Sequence, residues 1–156
     1  MIDPVEKSIF VPLPPARAFA LFTEHMADWW PLDTHSISAN RDGTNPHTVT
    51  FEPHLGGRVL ETNSDGEIRA WATITDWQPG VRFVLSWYVG RTEDQATVVD
   101  VRFEPEADGT RLLLTHSGFD VLGDKGLQNR TGYDGGWTGV LESAFLKHCA
   151  HLGDAA

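Results

Sequence analysis

Hydrophobic positions recur with a period of two through most of this chain and with a helical period at its end. "HTVTFEP" (47–53) alternates at Val49 and Phe51, and "VRFVLSWYV" (81–89) sets Phe83, Leu85, Trp87 and Val89 on one side. "ATVVDVRFEP" (96–105) does the same with Val99, Val101 and Phe103. Successive side chains of a strand point to opposite faces, so each stretch reads as a strand with one buried face. "VEKSIFV" (5–11) is a further strand, and "GRVLETNSDGEIRAWATITDW" (57–77) holds two strands around the turn "SDG" at 64–66. A second turn, "ADG" (107–109), leads into "TRLLLTHSGF" (110–119), where Leu112, Leu114 and His116 share a side. The sum is about seven strands, six of them in a run joined by tight turns, which is an antiparallel meander.

Helical signals flank this run. In "LPPARAFALFTEH" (13–25), Pro14 and Pro15 suit a helix start, where a missing N–H costs nothing, and Phe19, Leu21 and Phe22 give a short apolar face. Pro31 ends whatever helix carries "ADWW". Residues 32–46 are polar and rich in turn formers, the one long irregular connection. In the tail, Trp137, Leu141, Ala144, Phe145, His148 and Leu152 fall at helical spacing. A helix from about 134, capped by Asp134, spans about 28 Å at roughly 1.5 Å per residue, enough to lie across a whole sheet. Gly135, Gly136 and Gly139 at its start form helix poorly but leave space beside the backbone.

The pattern therefore predicts an α+β fold in which a curved antiparallel sheet wraps a long C-terminal helix, with short helices near the N-terminus. A bowed sheet and a straight rod separate where the sheet bends away, so large side chains fill the gap or a cavity remains. Trp29 and Trp30 bear on this directly. Adjacent side chains diverge on a helix or a strand, so one core does not easily absorb both indoles. The expectation is that Trp29 or Trp30 packs in the core while its neighbour borders a hollow beneath the 32–46 loop, an apolar ring with an N–H still able to find a partner.

The chain has 156 residues, a length that suits one domain over 1–156. Its formal net charge of −10, with twelve scattered Lys and Arg, argues against a nucleic acid or an anionic membrane surface as partner. No apolar run approaches the roughly 20 residues that span a bilayer, and "MIDPVEKSIF" lacks the look of a secretory signal. The lone Cys149 fits a reduced, cytoplasmic protein. Of the seven histidines, none forms a ligand pair with a carboxylate at metal spacing, and His148, Cys149 and His151 read as a helix surface. No metal and no cofactor is expected.

The order of "LPPARAFALFTE…WWP", "EPHLGGRV", "DGEIRAWATITDWQPGVRFVLSW", "GTRLLLTHSGF" and "YDGGWTGVL" resembles the SRPBCC (START-like, helix-grip) superfamily. The likeness runs over about residues 5–152. It looks closest to the branch related to the activator of the ninety-kilodalton heat-shock protein's ATPase. The resemblance implies a cavity between sheet and C-terminal helix. In this superfamily such cavities hold lipids, sterols, polyketides or hormones, and in some branches act as active sites. The longer polar loop at 32–46 departs from the family's more compact link and alters the mouth of such a pocket.

The residues expected to line it are Trp30, Phe51, Phe83, Trp87, His116, Trp137 and Leu141, with His116 or Arg58 supplying orientation. Arg58 and Glu61 lie on opposite faces of one strand, so one of them points inward, and an inward charge needs a partner. The first reading is a binding module for a hydrophobic small molecule. The second is a cofactor-independent enzyme, a cyclase, aromatase or hydrolase-like activity with His116 as acid or base; no nucleophile elbow accompanies it. The third is a protein-interaction module acting on a chaperone, its acidic surface meeting a basic partner. Trp71, Trp77, Val84 and Tyr88 fall on outward positions of the strands, which predicts an apolar outer face and a homodimer through it.

Overall fold

The structure, a computed structural model, describes residues 1–155. Seven strands form one antiparallel sheet in the order β1-β7-β6-β5-β4-β3-β2. They are β1 (Val5–Val11), β2 (Thr48–Phe51), β3 (Arg58–Thr62), β4 (Ile68–Gln78), β5 (Arg82–Trp87), β6 (Thr97–Glu106) and β7 (Gly109–Ser117). Strands β2 to β7 follow each other as the meander the sequence predicts, and β1 closes the far edge against β7. The β3–β4 turn is built locally. Asn63 Oδ1 accepts the N–H groups of Asp65 and Glu67, and Gly66 takes φ +87°, a conformation that favours glycine.

Helix α1 (Pro15–Thr23) starts at its proline and buries Ala18, Phe19 and Phe22. Against the concave face of the sheet runs the C-terminal rod: α2 (Gly126–Thr138), a wider π-type stretch (Gly139–Leu146) and α3 (Lys147–Ala155). The joining residues Thr138, Gly139 and Lys147 all have right-handed helical backbone, so the three segments follow one another without a break. This is the helix-grip α+β architecture. The rod begins at Gly126, eight residues before the expected start. "GLQNRTGY" (126–133) carries no apolar stripe because much of this turn faces solvent, and Leu127 is exposed. Asp134 is accordingly no cap. It lies inside α2 and pairs with Lys7 at 3.0 Å, a contact that holds its carboxyl below the usual range.

The core divides into two aromatic groups. One gathers Phe19, Phe22, Trp29, Phe83, Phe103 and Phe145, with Phe22–Phe145 at 5.1 Å and Trp29–Phe145 at 4.7 Å between ring centroids. The other gathers Trp30, Trp71, Trp87 and Trp137 beside His116, Phe119 and Tyr133.

The apolar outer face is a correction. Trp71 is 1 % exposed and Tyr88 3 %. Leu60 pairs with Ala70 and Val59 with Ala72, so Trp71 is the extra residue of a β-bulge, and its indole turns inward. A second bulge at Thr75 sits between the pairs Ile74–Leu85 and Asp76–Val84 and shifts the phase again. Trp77 then pairs beside Phe83 and packs edge-on against Phe19 at 5.0 Å. Tyr88 is buried with its hydroxyl 2.9 Å from Thr73 Oγ1, and Val84 is half-buried. The proposed dimer face is therefore not an exposed aromatic surface.

Candidate functional site

Trp29 and Trp30 are both buried, each 7 % exposed, in different groups. Trp29 enters the phenylalanine cluster and donates its N–H to Leu21 O at 2.8 Å. Trp30 points the other way, donates to His35 O at 2.8 Å, and stands 5.4 Å from Trp71, 6.0 Å from Trp137 and 6.4 Å from Trp87. Beside it lies a pocket of about 140 Å³ walled by Trp30, Trp71 and Trp87, with Val89, Tyr133 and the loop residues His35, Ser36 and Asn40 around them.

The pocket continues outward. His35, Asn40 and Tyr133 also border a groove of about 490 Å³ between the 32–46 segment and α2. From the helix side the groove is lined by Gln128, Gly132 and Gly136, spaced at four residues, and by Asn129 and Tyr133. A Cβ added at Gly132 or Gly136 would meet nothing within 4 Å, so the helix presents open space there.

The roof is held by one buried carboxylate. Glu61 Oε1 accepts the N–H of Ile37 at 2.8 Å and the indole N–H of Trp71 at 2.9 Å. Its Oε2 accepts the N–H of Ser38 at 2.9 Å and the Ser38 hydroxyl. Four donors thus satisfy a fully buried carboxylate and tie the loop to a pocket wall. Arg69 and Asp42 (2.9 Å) and Arg41 to Gly90 O (3.4 Å) add surface ties. The inward charge of β3 is therefore Glu61. Arg58 is exposed, and its own N–H bonds Glu52 on the outside; it cannot orient anything in the pocket.

His116 is fully buried and fully engaged. The Trp137 indole can only donate, so His116 Nδ1 accepts at 2.9 Å and Nε2 carries the proton. That proton faces Thr97 Oγ1 at 2.6 Å, whose hydroxyl goes on to Trp87 O at 3.3 Å. Burial pushes the imidazole down to about 3, and the charge of nearby Arg91 acts the same way. A neutral ring with both nitrogens spoken for is a strut between β6, β7 and the rod. Among the other expected lining residues, Phe51 and Phe83 lie in the phenylalanine cluster (5.4 Å apart), Trp137 stands behind Trp30, and Leu141 is buried under β1. Only Trp30 and Trp87 of that set border the pocket.

Tyr133, His35, Asn40 and Trp71 were not among the expected lining. The 32–46 loop pointed toward His35 and Asn40 only in outline, Tyr133 lies on the first turns of α2, and a bulge moved Trp71. Among the described residues, no group of three or more His, Cys, Asp or Glu side chains is placed to hold a metal ion, and no helix is long and apolar enough to cross a membrane.

A family described as "Activator of Hsp90 ATPase homolog 1-like protein" matches residues 12–148. The chain belongs to that family. The family and the helix-grip architecture together place it in the SRPBCC superfamily, in the branch related to the heat-shock-protein activator. Among curated proteins none matches. Solved structures do. The anthrahydroquino-Gama-pyrone synthase Txn09, solved in complex with SUM, is 31 % identical over 83 % of this chain and 85 % of its own, with a TM-score of 0.59. The protein MLL2253 from Mesorhizobium loti (18 % identity, 95 % and 96 % covered, TM-score 0.67) and the Aha1 dimer from Colwellia psychrerythraea (14 %, 92 % and 92 %, 0.65) share the fold.

Proposed function

We propose that this protein binds a planar, mainly apolar small molecule, with its leading ring packed against the indoles of Trp30, Trp71 and Trp87. The observation that carries this reading is the walled pocket itself. An apolar cavity near 150 Å³ accepts a benzene-sized ring, and the pocket measures about 140 Å³. Drug-sized ligands fill roughly 300–1,000 Å³, so the rest of the molecule lies in the adjoining groove. Binding comes from apolar burial at about 25 cal/mol per Å². Titration with tetralin, followed by quenching of indole fluorescence, tests it. Saturable quenching lost in Val89→Phe, which fills the pocket from its rim, supports the reading; no saturable change in the wild type overturns it.

A second reading follows from the 31 % likeness to a pyrone synthase: a cofactor-independent ring-closing enzyme in the same pocket. His116 is poorly suited as its acid or base, being neutral and committed on both nitrogens. Formation of a γ-pyrone on an anthrahydroquinone by the purified protein, read by absorbance, would establish this activity. The family's description keeps a chaperone contact as a third reading, tested by stimulation of a chaperone ATPase. The dimeric relative prompts a homodimer, for which light scattering is the test. A cytoplasmic location fits the single free cysteine, Cys149, whose thiol burial pushes up to about 12.

A further inference from the structure

The pocket and groove meet at Tyr133, and that phenol is held in place from two sides. Its oxygen accepts the Trp87 indole N–H at 3.1 Å. Its ring packs at a tilt of 59° against His116, 4.6 Å between centroids, and lies 6.1 Å from Phe119. The imidazole is itself fixed by Trp137 and Thr97. Among the described residues the Tyr133 hydroxyl makes that one hydrogen bond, as acceptor, so its proton is unspent at a residue that borders both cavities.

The neighbourhood leans the same way. Arg91 reaches Asn129 Oδ1, one helical turn before Tyr133, at 3.4 Å through Nη1. Its Nε and Nη2 are buried with no partner among the described residues. Arg91 lines neither cavity, and no carboxylate lines pocket or groove to take up the Tyr133 proton. A partly buried donor without a partner loses free energy that an incoming acceptor restores.

We propose that Tyr133 is the specificity-determining donor of the site. Its O–H binds a carbonyl or ether oxygen on a ring system whose first ring fills the indole pocket. This rests on the pocket reading above and adds to it the ligand class: an aromatic compound bearing an acceptor oxygen next to the buried ring, in preference to a plain hydrocarbon.

The test uses 1-tetralone and tetralin, which differ by one carbonyl, in titrations of the whole chain. A neutral hydrogen bond of about 0.5–1.5 kcal/mol predicts roughly two- to twelvefold tighter binding of the ketone. Tyr133→Phe is expected to erase that preference, so that ketone and hydrocarbon bind the variant with equal affinity. Melting of the variant is followed in parallel, because Trp87 loses its acceptor. Equal affinities in the wild type overturn the proposal without any variant and leave the pocket reading standing. A preference that persists in Tyr133→Phe overturns the assignment to this residue. Failure of both compounds to bind removes the pocket reading and the proposal together.

Discussion

Removing the Glu61 carboxylate is the most informative perturbation of the site. Glu61→Ala strands four donors: the N–H groups of Ile37 and Ser38, the Ser38 hydroxyl and the Trp71 indole. Each buried donor left alone costs about 1–3 kcal/mol. The Ser38 hydroxyl can rotate elsewhere, and relief of the carboxylate's own desolvation offsets part of the sum. A net loss of about 3–5 kcal/mol follows, in the range for breaking a buried charged network. At about 2–4 °C per kcal/mol for a chain of this size, melting falls by roughly 6–20 °C. Glu61→Gln is milder, about 1–3 kcal/mol, since one carbonyl oxygen still serves two donors and the Ser38 hydroxyl can turn to accept from the amide. Glu52→Ala is the control. That carboxylate takes one N–H at an exposed site, and its loss stays below about 1 kcal/mol. Urea unfolding of the three variants measures the ranking, and proteolysis within 32–46 reports whether the loop has come free. An alanine variant within about 1 kcal/mol of wild type, with the loop still protected, would mean that the roof is held by something other than this carboxylate.

Further outcomes follow from other parts of the molecule. His116 is neutral in the native state down to about pH 3, whereas it charges near 6.5 when unfolded. The unfolded chain therefore binds the extra proton first. Stability from this group is complete above pH 6.5 and falls by about 1.4 kcal/mol per pH unit below it, until about pH 3. Urea titrations from pH 7 to 4 should show that slope in the wild type and a shallower one in His116→Gln. Phe145→Ala empties a fully buried site between Phe22 and Trp29 and should cost about 3–5 kcal/mol by chemical denaturation. Gly109→Ala forces a Cβ to 2.2 Å from Val11 O, so a loss of about 1–3 kcal/mol is expected in the same assay.

The periodicity of the chain determined the seven strands, their meander order and the rod that crosses them, because alternation at Val99, Val101 and Phe103 or helical spacing at Trp137, Leu141 and Phe145 is a local property that burial of one face imposes. It also separated Trp29 from Trp30, since neighbouring side chains cannot share a direction. What the sequence left open depended on pairing between distant strands. Trp71 and Trp77 face inward only because bulges at 71 and 75 shift the phase of β4 against β3 and β5. Parity put Arg58 and Glu61 on opposite faces but gave no means of telling which was inside; the donors of Ile37, Ser38 and Trp71 arriving from elsewhere chose Glu61. The first turns of α2 line a groove instead of the core, so they carry no apolar stripe and no local pattern marks them as helix. The site itself, three indoles and a phenol under a loop, exists only where tertiary packing brings those surfaces together, and no local pattern encodes the space between them.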